Sequence, residues 1–356
     1  MRPARALIDL SALRHNYRLA KELTGRRALA VIKANAYGHG ALACAAALAD
    51  QADGFAVSCI EEALALREAG HRLPIVLFEG WFEAAELELI CQYDLWPVVH
   101  HHGQLIDLQA AKLSQPLHIW LKLDSGMHRT GFSANEYPAI WRQLSASNKV
   151  ASLTSMTHLS RADEPGSGRT EQQLATFTQA ISGLNAQTTL SNSAGVLAWP
   201  DAHGDWVRPG IMLYGSSPFG FKQDHASALQ PVMQLDSKII AVHEVAAGEP
   251  IGYGSRFVTQ RPSRLGVVAM GYADGYPRHA PDGTPVLVDG HRAPLTGRVS
   301  MDMLTVDLTD LPRSGLGSHT RLWGQGLDVG EVATAAGTIS YQLLCNLNRV
   351  PRHYQD

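Results

Sequence analysis

ALAVIKANAYGHG, residues 28–40, runs from an apolar, β-type stretch into a lysine and then a glycine-bearing turn. Seven further β-type runs follow: GFAVS (54–58), PIVLF (74–78), LWPVV (95–99), LHIWLKL (117–123), SLTSMTHL (152–159), TTLSN (188–192) and VRPGIMLYG (207–215). Helical patterns lie between them, such as Ile60 to Ala69, closed by Gly70, and Ala84 to Cys91. Ser11 reads as the cap of an earlier helix with Leu13, Tyr17 and Ala20 on one face. Eight alternations predict an α/β fold, a (β/α)8 TIM barrel.

After Tyr214 the polar, Gly/Pro-marked stretch GSSPFGFKQDHASALQP reads as the exit from the barrel. Period-two runs then take over, for example SKIIAVHEV, RLGVVAMGYADG and TPVLVDGHRAPLTGRVSMDMLTVDL, and ISYQLLCNL is a final helical stretch. The expected domains are a barrel over 1–230, whose first ten or so residues can pack with the other unit, and a mainly β domain over 231–356.

A chain of 356 residues has room for both. With 45% hydrophobic residues, 18% charged residues and a net charge of −3, it has no basic excess to suggest a nucleic-acid partner. MRPARALIDL lacks the apolar core of a signal peptide, and no run is apolar for the roughly 18 residues a membrane span requires, so a cytoplasmic protein is expected. Cys44, Cys59, Cys91 and Cys345 show no CxxC pairing and read as reduced thiols. His100, His101 and His102 cannot all face one metal ion and read as a solvated loop.

Lys33 ends the first barrel strand, on the face where such barrels place their chemistry. A lysine there is either exposed or a nucleophile. SNSAG (191–195) and RPGIMLYG (208–215) end the last two strands, whose loops commonly cradle phosphate. Ser193 offers a hydroxyl and Gly210 lets backbone N–H groups approach closely, although SNSAG also suits an ordinary helix cap. A phosphate site opposite a strand-end lysine is what a barrel holding a pyridoxal cofactor requires. Arg208 near the barrel axis needs a partner, either an acid or the pyridine nitrogen. His158 suits a structural role, ring stacking or proton relay. LKLDSGMHRTGF (121–132) sets Lys122 and Arg129 around a turn, and Arg129 is able to grip a carboxylate bidentately. Tyr253, Tyr272 and Tyr276 lie among glycines, as loop anchors or, with a lowered pKa, as a base.

Taken together, VIKANAYGHG, LKLDSGMHRTGF, MTHLSRAD, SNSAG, VRPGIMLYG, IGYGSRF, MGYADGYPR, GRVSMDM and NRVPR resemble the alanine racemases, in that family's order over nearly the whole chain. The resemblance implies a pyridoxal 5'-phosphate enzyme interconverting L- and D-alanine. Lys33 would carry the cofactor as an imine and handle the hydrogen of the D-isomer, and Tyr253 that of the L-isomer. It implies phosphate binding by Tyr37, Ser193, Gly210, Ile211 and Tyr341. Arg208 would face the pyridine nitrogen, and His158 would lie against the ring and bond toward the tyrosine base. Arg129 and the Met301 N–H would hold the substrate carboxylate. Lys122 matches a lysine often carbamylated, and Tyr272 and Asp302 match residues at a narrow entrance. The resemblance also implies a homodimer in which Tyr253 and Met301 reach the other subunit's barrel.

Ser125 stands where threonine is usual, His128 where glycine is usual, and Leu159 and Ser160 vary the THFA pattern; none of these removes a catalytic group. A non-catalytic pyridoxal-phosphate carrier has no use for the second domain. A barrel decarboxylase pairs the pyridine nitrogen with an acid, where this chain has Arg208. WGQGLDVG does not fit the dinucleotide spacing GxGxxG. A broader amino-acid racemase of the same family stays open, as does a biosynthetic or degradative role.

Overall fold

The chain begins, in the computed structural model, which describes residues 2–356, with β1 (Arg5–Asp9) and a helix over Leu10–Thr24. Asp9 rather than Ser11 caps this helix: its Oδ1 accepts from the Ala12 N–H at 2.9 Å, and Ser11 Oγ donates to the same carboxylate at 2.8 Å. Asp9 has the extended backbone a cap needs, and a carboxylate is a stronger acceptor than a hydroxyl. Leu13, Tyr17 and Ala20 are buried on one face as expected.

The eight expected runs form one closed barrel of parallel strands: β2 (Arg27–Val31), β3 (Gly54–Val57), β4 (Ile75–Leu77), β5 (Leu95–Val99), β6 (Leu117–Lys122), β7 (Val150–Met156), β8 (Gln187–Thr189) and β9 (Trp206–Val207). Arg27 pairs with Trp206 and Ala28 with Val207 to close the circle. Trp206 and Trp96, near the N-terminal ends of their strands, have rings 6.2 Å apart, Trp120 from the middle of β6 lies 5.9 Å from Trp206, and the Arg27 guanidinium stands 4.1 Å above it. Large rings fill that end, so space remains at the other.

Most of the strands end sooner than the runs suggest, and in two of them the chain then takes up a turn that shapes the open end. The last stops at Val207, because Pro209 has no N–H for the ladder; Ile211–Tyr214 then forms a 3-10 turn. The first stops at Val31, and Lys33 opens a turn in which Ala34, Asn35, Ala36 and Tyr37 all have φ between 51 and 56°. Four left-handed residues other than glycine cost roughly 1–2 kcal/mol each, so their surroundings must over-determine them. The Ala34 N–H donates to Glu62 Oε1 at 2.6 Å, the Ala41 N–H donates to Asn35 Oδ1 at 2.8 Å, and His39 Nδ1 donates to the carbonyls of Ala36 and Tyr37 at 2.9 and 3.0 Å.

The second sheet is built around β10 (Met233–Val245), which pairs antiparallel with the strands Ser263–Val268 and His319–Trp323. It also takes up β1, antiparallel to β10 and parallel to the final strand Arg352–Gln355. That final strand shows almost no apolar alternation and was not foreseen, nor was the short helix Val329–Ala335. The helix Ser340–Cys345 falls in the expected final helical stretch.

This C-terminal region holds the left-handed turn from outside: Arg352 Nε donates to the Gly38 carbonyl at 2.5 Å. Gly38 has φ +81°, and a Cβ on it would lie 2.1 Å from the Leu344 carbonyl oxygen. Gly38→Ala is therefore expected to lower the unfolding free energy by about 2–4 kcal/mol, from backbone strain and overpacking together. Urea denaturation of the cofactor-free protein reads this directly, and a loss under about 0.5 kcal/mol would contradict the contact.

Candidate active site

The open end of the barrel holds a cavity of about 600 Å³ whose lining includes Lys33, Tyr37, Lys122, Arg129, His158, Ser193, Arg208, Gly210, Ile211 and Tyr341. Every barrel residue singled out in the sequence is therefore brought to one space, as is Tyr341 from the second domain's helix. They arrive from the ends of β2, β6, β7, β8 and β9, which explains their scatter along the chain.

Cations dominate this space. Arg208 is buried and donates to the carbonyls of Thr157 and Leu190 at 2.7 and 2.9 Å and to Thr189 Oγ1. Three of its five N–H positions are thus used, and no carboxylate pairs with it among the described residues. Burial alone lowers its pKa to about 9. Lys122 is also buried, donates to Thr130 Oγ1 at 2.6 Å, and has its pKa lowered to about 8, first by desolvation and then by the Arg129 and Arg208 charges. His158 is held well below the usual histidine range by desolvation and then by the same cations, so it is neutral at pH 7.

At the far side of the lining, Ser193 Oγ accepts from the N–H groups of Gly210 at 2.9 Å and Met212 at 3.2 Å. Its own proton is left to donate outward. A Cβ on Gly210 would stand 2.7 Å from Tyr37 Oη, so only glycine lets the phenol reach this backbone. The Tyr37 and Tyr341 rings lie 6.0 Å apart, and burial pushes the Tyr341 phenol up to about 12. The result is a set of neutral donors suited to an anion, in the same cavity as the Lys33 amine.

Tyr253, Tyr272, Met301 and Asp302 do not line this cavity. They lie on the second domain, where Tyr253 is 69% and Met301 53% exposed. The Tyr272 segment is tied to the Met301 segment by the Tyr272 N–H to Ser300 carbonyl bond and the Ala273 N–H to Met301 carbonyl bond, both at 3.0 Å. Beneath them Asp274 is fully enclosed and bonded by Arg2 and Arg349, and Arg349 also donates to Asp302 Oδ1 at 2.6 Å.

The histidine run is a solvated loop only in part: His101 and His102 are exposed, as expected, but each has a structural partner, and His100 faces inward. His101 Nδ1 caps the helix His102–Ala110, His102 pairs with Glu136 at 2.7 Å, and His100 lines the cavity with its pKa lowered by burial. Its position directly after β5 is the signal that placed the other strand-end residues. Thr130, Asn192 and Glu79 also line the cavity; each lies within or directly after a strand-end segment quoted above and was not singled out as a site residue. Among the described residues no cluster of His, Cys, Asp and Glu could hold a metal ion, and no helix is long and apolar enough to cross a membrane.

Comparison with known proteins decides the family. The descriptions "Alanine racemase, N-terminal domain" and "Alanine racemase, C-terminal domain" match residues 8–218 and 232–354. The chain belongs to the alanine racemase family. It is 62% identical to the catabolic alanine racemase of Pseudomonas aeruginosa over 99% of both chains, and 60% identical to that of Pseudomonas putida over the same shares. The crystal structure of the biosynthetic alanine racemase of Pseudomonas aeruginosa superposes with a TM-score of 0.98 at 51% identity, covering 100% of both chains. That of the Bartonella henselae alanine racemase, described with covalently bound pyridoxal phosphate, gives 0.91 at 31% identity, again over 100% of both. Alanine racemases are isomerases dependent on pyridoxal phosphate, and an alanine substrate is consistent with this membership.

The depressed Lys122 ammonium has a consequence for stability. Its folded pKa lies below the ordinary lysine value near 10.4, so the folded state binds fewer protons between pH 8 and 10.5 and stability from this group rises with pH across that window. In CO2-free buffer, cofactor-free Lys122→Met should therefore gain on the wild type at pH 7, by on the order of 3 kcal/mol, with the difference shrinking towards pH 10.5. A difference independent of pH in denaturant titrations would contradict the burial of this charge.

Proposed function

We propose that pyridoxal 5'-phosphate is attached through the Lys33 amine, and that Lys33 and Tyr253 invert alanine as two opposed acid–base groups. The observation that carries this reading is the convergence of Lys33, Arg208 and the Ser193–Gly210 donor set on one cavity at the open end of the barrel. The donors fit the group: the O–H groups of Tyr37, Ser193 and Tyr341 and the Ile211 N–H suit a phosphate, with Gly210, whose own N–H goes to Ser193 Oγ, letting the backbone come close, and Arg208 suits a pyridine nitrogen that stays unprotonated. When bound, the cofactor acidifies the α-hydrogen of an attached amino acid and leaves the proton transfers to the side chains.

Arg129, with the Met301 N–H, holds the alanine carboxylate. Lys33 exchanges the α-hydrogen with the D-isomer on one face, and Tyr253 with the L-isomer on the other. His158, neutral at pH 7, lies against the cofactor and accepts a hydrogen bond from the Tyr253 phenol. Lys122 is carbamylated: with its pKa lowered to about 8, a useful fraction of the amine is neutral near pH 7 and able to add CO2. The product is an anion beside Arg129, which removes the cationic crowding there.

The exposed Tyr253 and Met301 belong, in this reading, to the cavity of a second copy, so the enzyme is a homodimer of chains that each comprise a barrel domain (1–230) and a β domain (231–356). Tyr272 and Asp302 flank the entrance and keep larger side chains out. The protein works in the cytoplasm.

In deuterium oxide the wild type should racemise L-alanine with α-deuterium incorporation, and borohydride should leave the cofactor on the Lys33 peptide; no loss of optical activity would sink the reading. Tyr253→Phe should slow racemisation by about 10²–10⁴-fold while D-alanine still exchanges its α-hydrogen. L-alanine exchange at the wild-type rate in that variant would refute the assignment of Tyr253.

The shared site has its own test. Lys33→Ala and Tyr253→Phe, each nearly inactive, should recover up to about a quarter of wild-type activity when mixed and allowed to exchange subunits, since half of the dimers then hold one intact site of two. No recovery despite demonstrated exchange would mean that each chain supplies its own tyrosine.

A further inference from the structure

Gln173 does not line the cavity, yet it is fully buried on the helix Arg169–Ala180 and joins two of the site's loops. Its Nε2 donates to Ser125 Oγ at 3.2 Å and to the His158 carbonyl at 3.0 Å. Its Oε1 accepts from the Ser160 N–H at 2.9 Å and the Ser160 hydroxyl at 3.0 Å. A side-chain amide has two donor hydrogens and two acceptor lone pairs, so all four positions are filled. The amide has only one orientation here, because a carbonyl cannot donate and a backbone N–H cannot accept.

The directions propagate. Thr157 Oγ1 donates to the Leu123 carbonyl at 2.9 Å, so at 2.8 Å it accepts from Ser125 Oγ, which accepts from Gln173. Thr157 also presents its carbonyl to Arg208 Nη2 at 2.7 Å. A single-direction chain therefore links the turn that carries Arg129, the segment that carries His158, and the Arg208 guanidinium. Buried and complete networks of this kind resist displacement, since each lost partner leaves a group unsatisfied at about 1–3 kcal/mol.

We propose that Gln173 is a positioning residue for racemisation: its amide sets the Arg129 turn against His158, and with it the spacing between the group holding the substrate carboxylate and the group bonded to the Tyr253 phenol. This rests on the roles given to Arg129, His158 and Tyr253 above. A residue that merely fills the gap under the helix would affect folding alone.

Gln173→Met keeps length and volume and removes all four bonds. KM for L-alanine is expected to rise roughly five-fold or more, and the pH profile of kcat to shift, whatever happens to Tm. In cofactor-free protein labelled at histidine, the His158 ring resonances should move while those of His118, at the opposite end of the barrel, stay. Ser125→Ala cuts one arm and should move the same readouts less, whereas Ser125→Thr keeps the hydroxyl and should restore them to within about two-fold of wild type. Wild-type KM and pH profile in both Gln173→Met and Ser125→Ala, with only Tm lowered, would overturn the proposal. If Gln173→Met does not fold, Ser125→Ala decides on the same measurements. A wild type unable to racemise alanine would instead remove the functional reading, and this inference with it.

Discussion

The constraint on which the site depends is the crowding of positive charge around one enclosed space. Lys33, Lys122, Arg129 and Arg208 all border it; burial and then the Arg129 and Arg208 charges lower the pKa of Lys122 to about 8, and burial alone lowers that of Arg208 to about 9. Such an arrangement is poor for the isolated chain and suitable for a ligand that brings negative charge. Phosphate, substrate carboxylate and a carbamate on Lys122 are three anions that would relieve it. Neutral His158 fits the same logic, since a further cation among these would be the least tolerable addition.

The second requirement is steric. A lysine at a barrel strand end must be aimed inward, and the chain after Lys33 does this through four left-handed residues that no local preference supports. Their conformation is imposed by Glu62 from the neighbouring βα unit, by His39 from within the loop, and by Arg352 and Leu344 from the second domain. Barrel and second domain are thus coupled at Gly38, at the end of the turn that opens with Lys33. The second domain has a mechanical role on its own chain's Lys33 as well as the role proposed for Tyr253 on a partner's.

Much of this was legible in the sequence because it rests on periodicity and on chemistry at strand ends. The eight barrel strands announce themselves as apolar runs, and the position of Lys33, Lys122, His158 and Arg208 at or just past those runs brings them together without further information. What could not be read depends on long-range contact. The left-handed turn has an unremarkable composition, ANAY, and its geometry has a reason only in contacts from Glu62, His39, Arg352 and Leu344, three of them distant in sequence. The last strand, RHYQ, lacks an apolar face and is a strand because β1 lies beside it. Asp9 displaced Ser11 as a cap because the preceding strand had already extended its backbone. His100 was passed over as part of a polar run, although it occupies the same position after its strand as other lining residues. Gln173 has no mark at all, since a mid-helix glutamine is ordinary until its four partners are known.

The two ends of the chain share a sheet: β1 begins at Arg5, and its neighbours on either side begin at Met233 and Arg352. On a ribosome the first strand therefore emerges long before either partner, and the barrel has all its strands well before the last one appears. The order of synthesis makes the barrel the earlier unit to complete. The clamp that Arg352 places on the turn after Lys33 cannot form before residue 352 is made, so a chain stopped short of it would keep the barrel strands with that turn less firmly held.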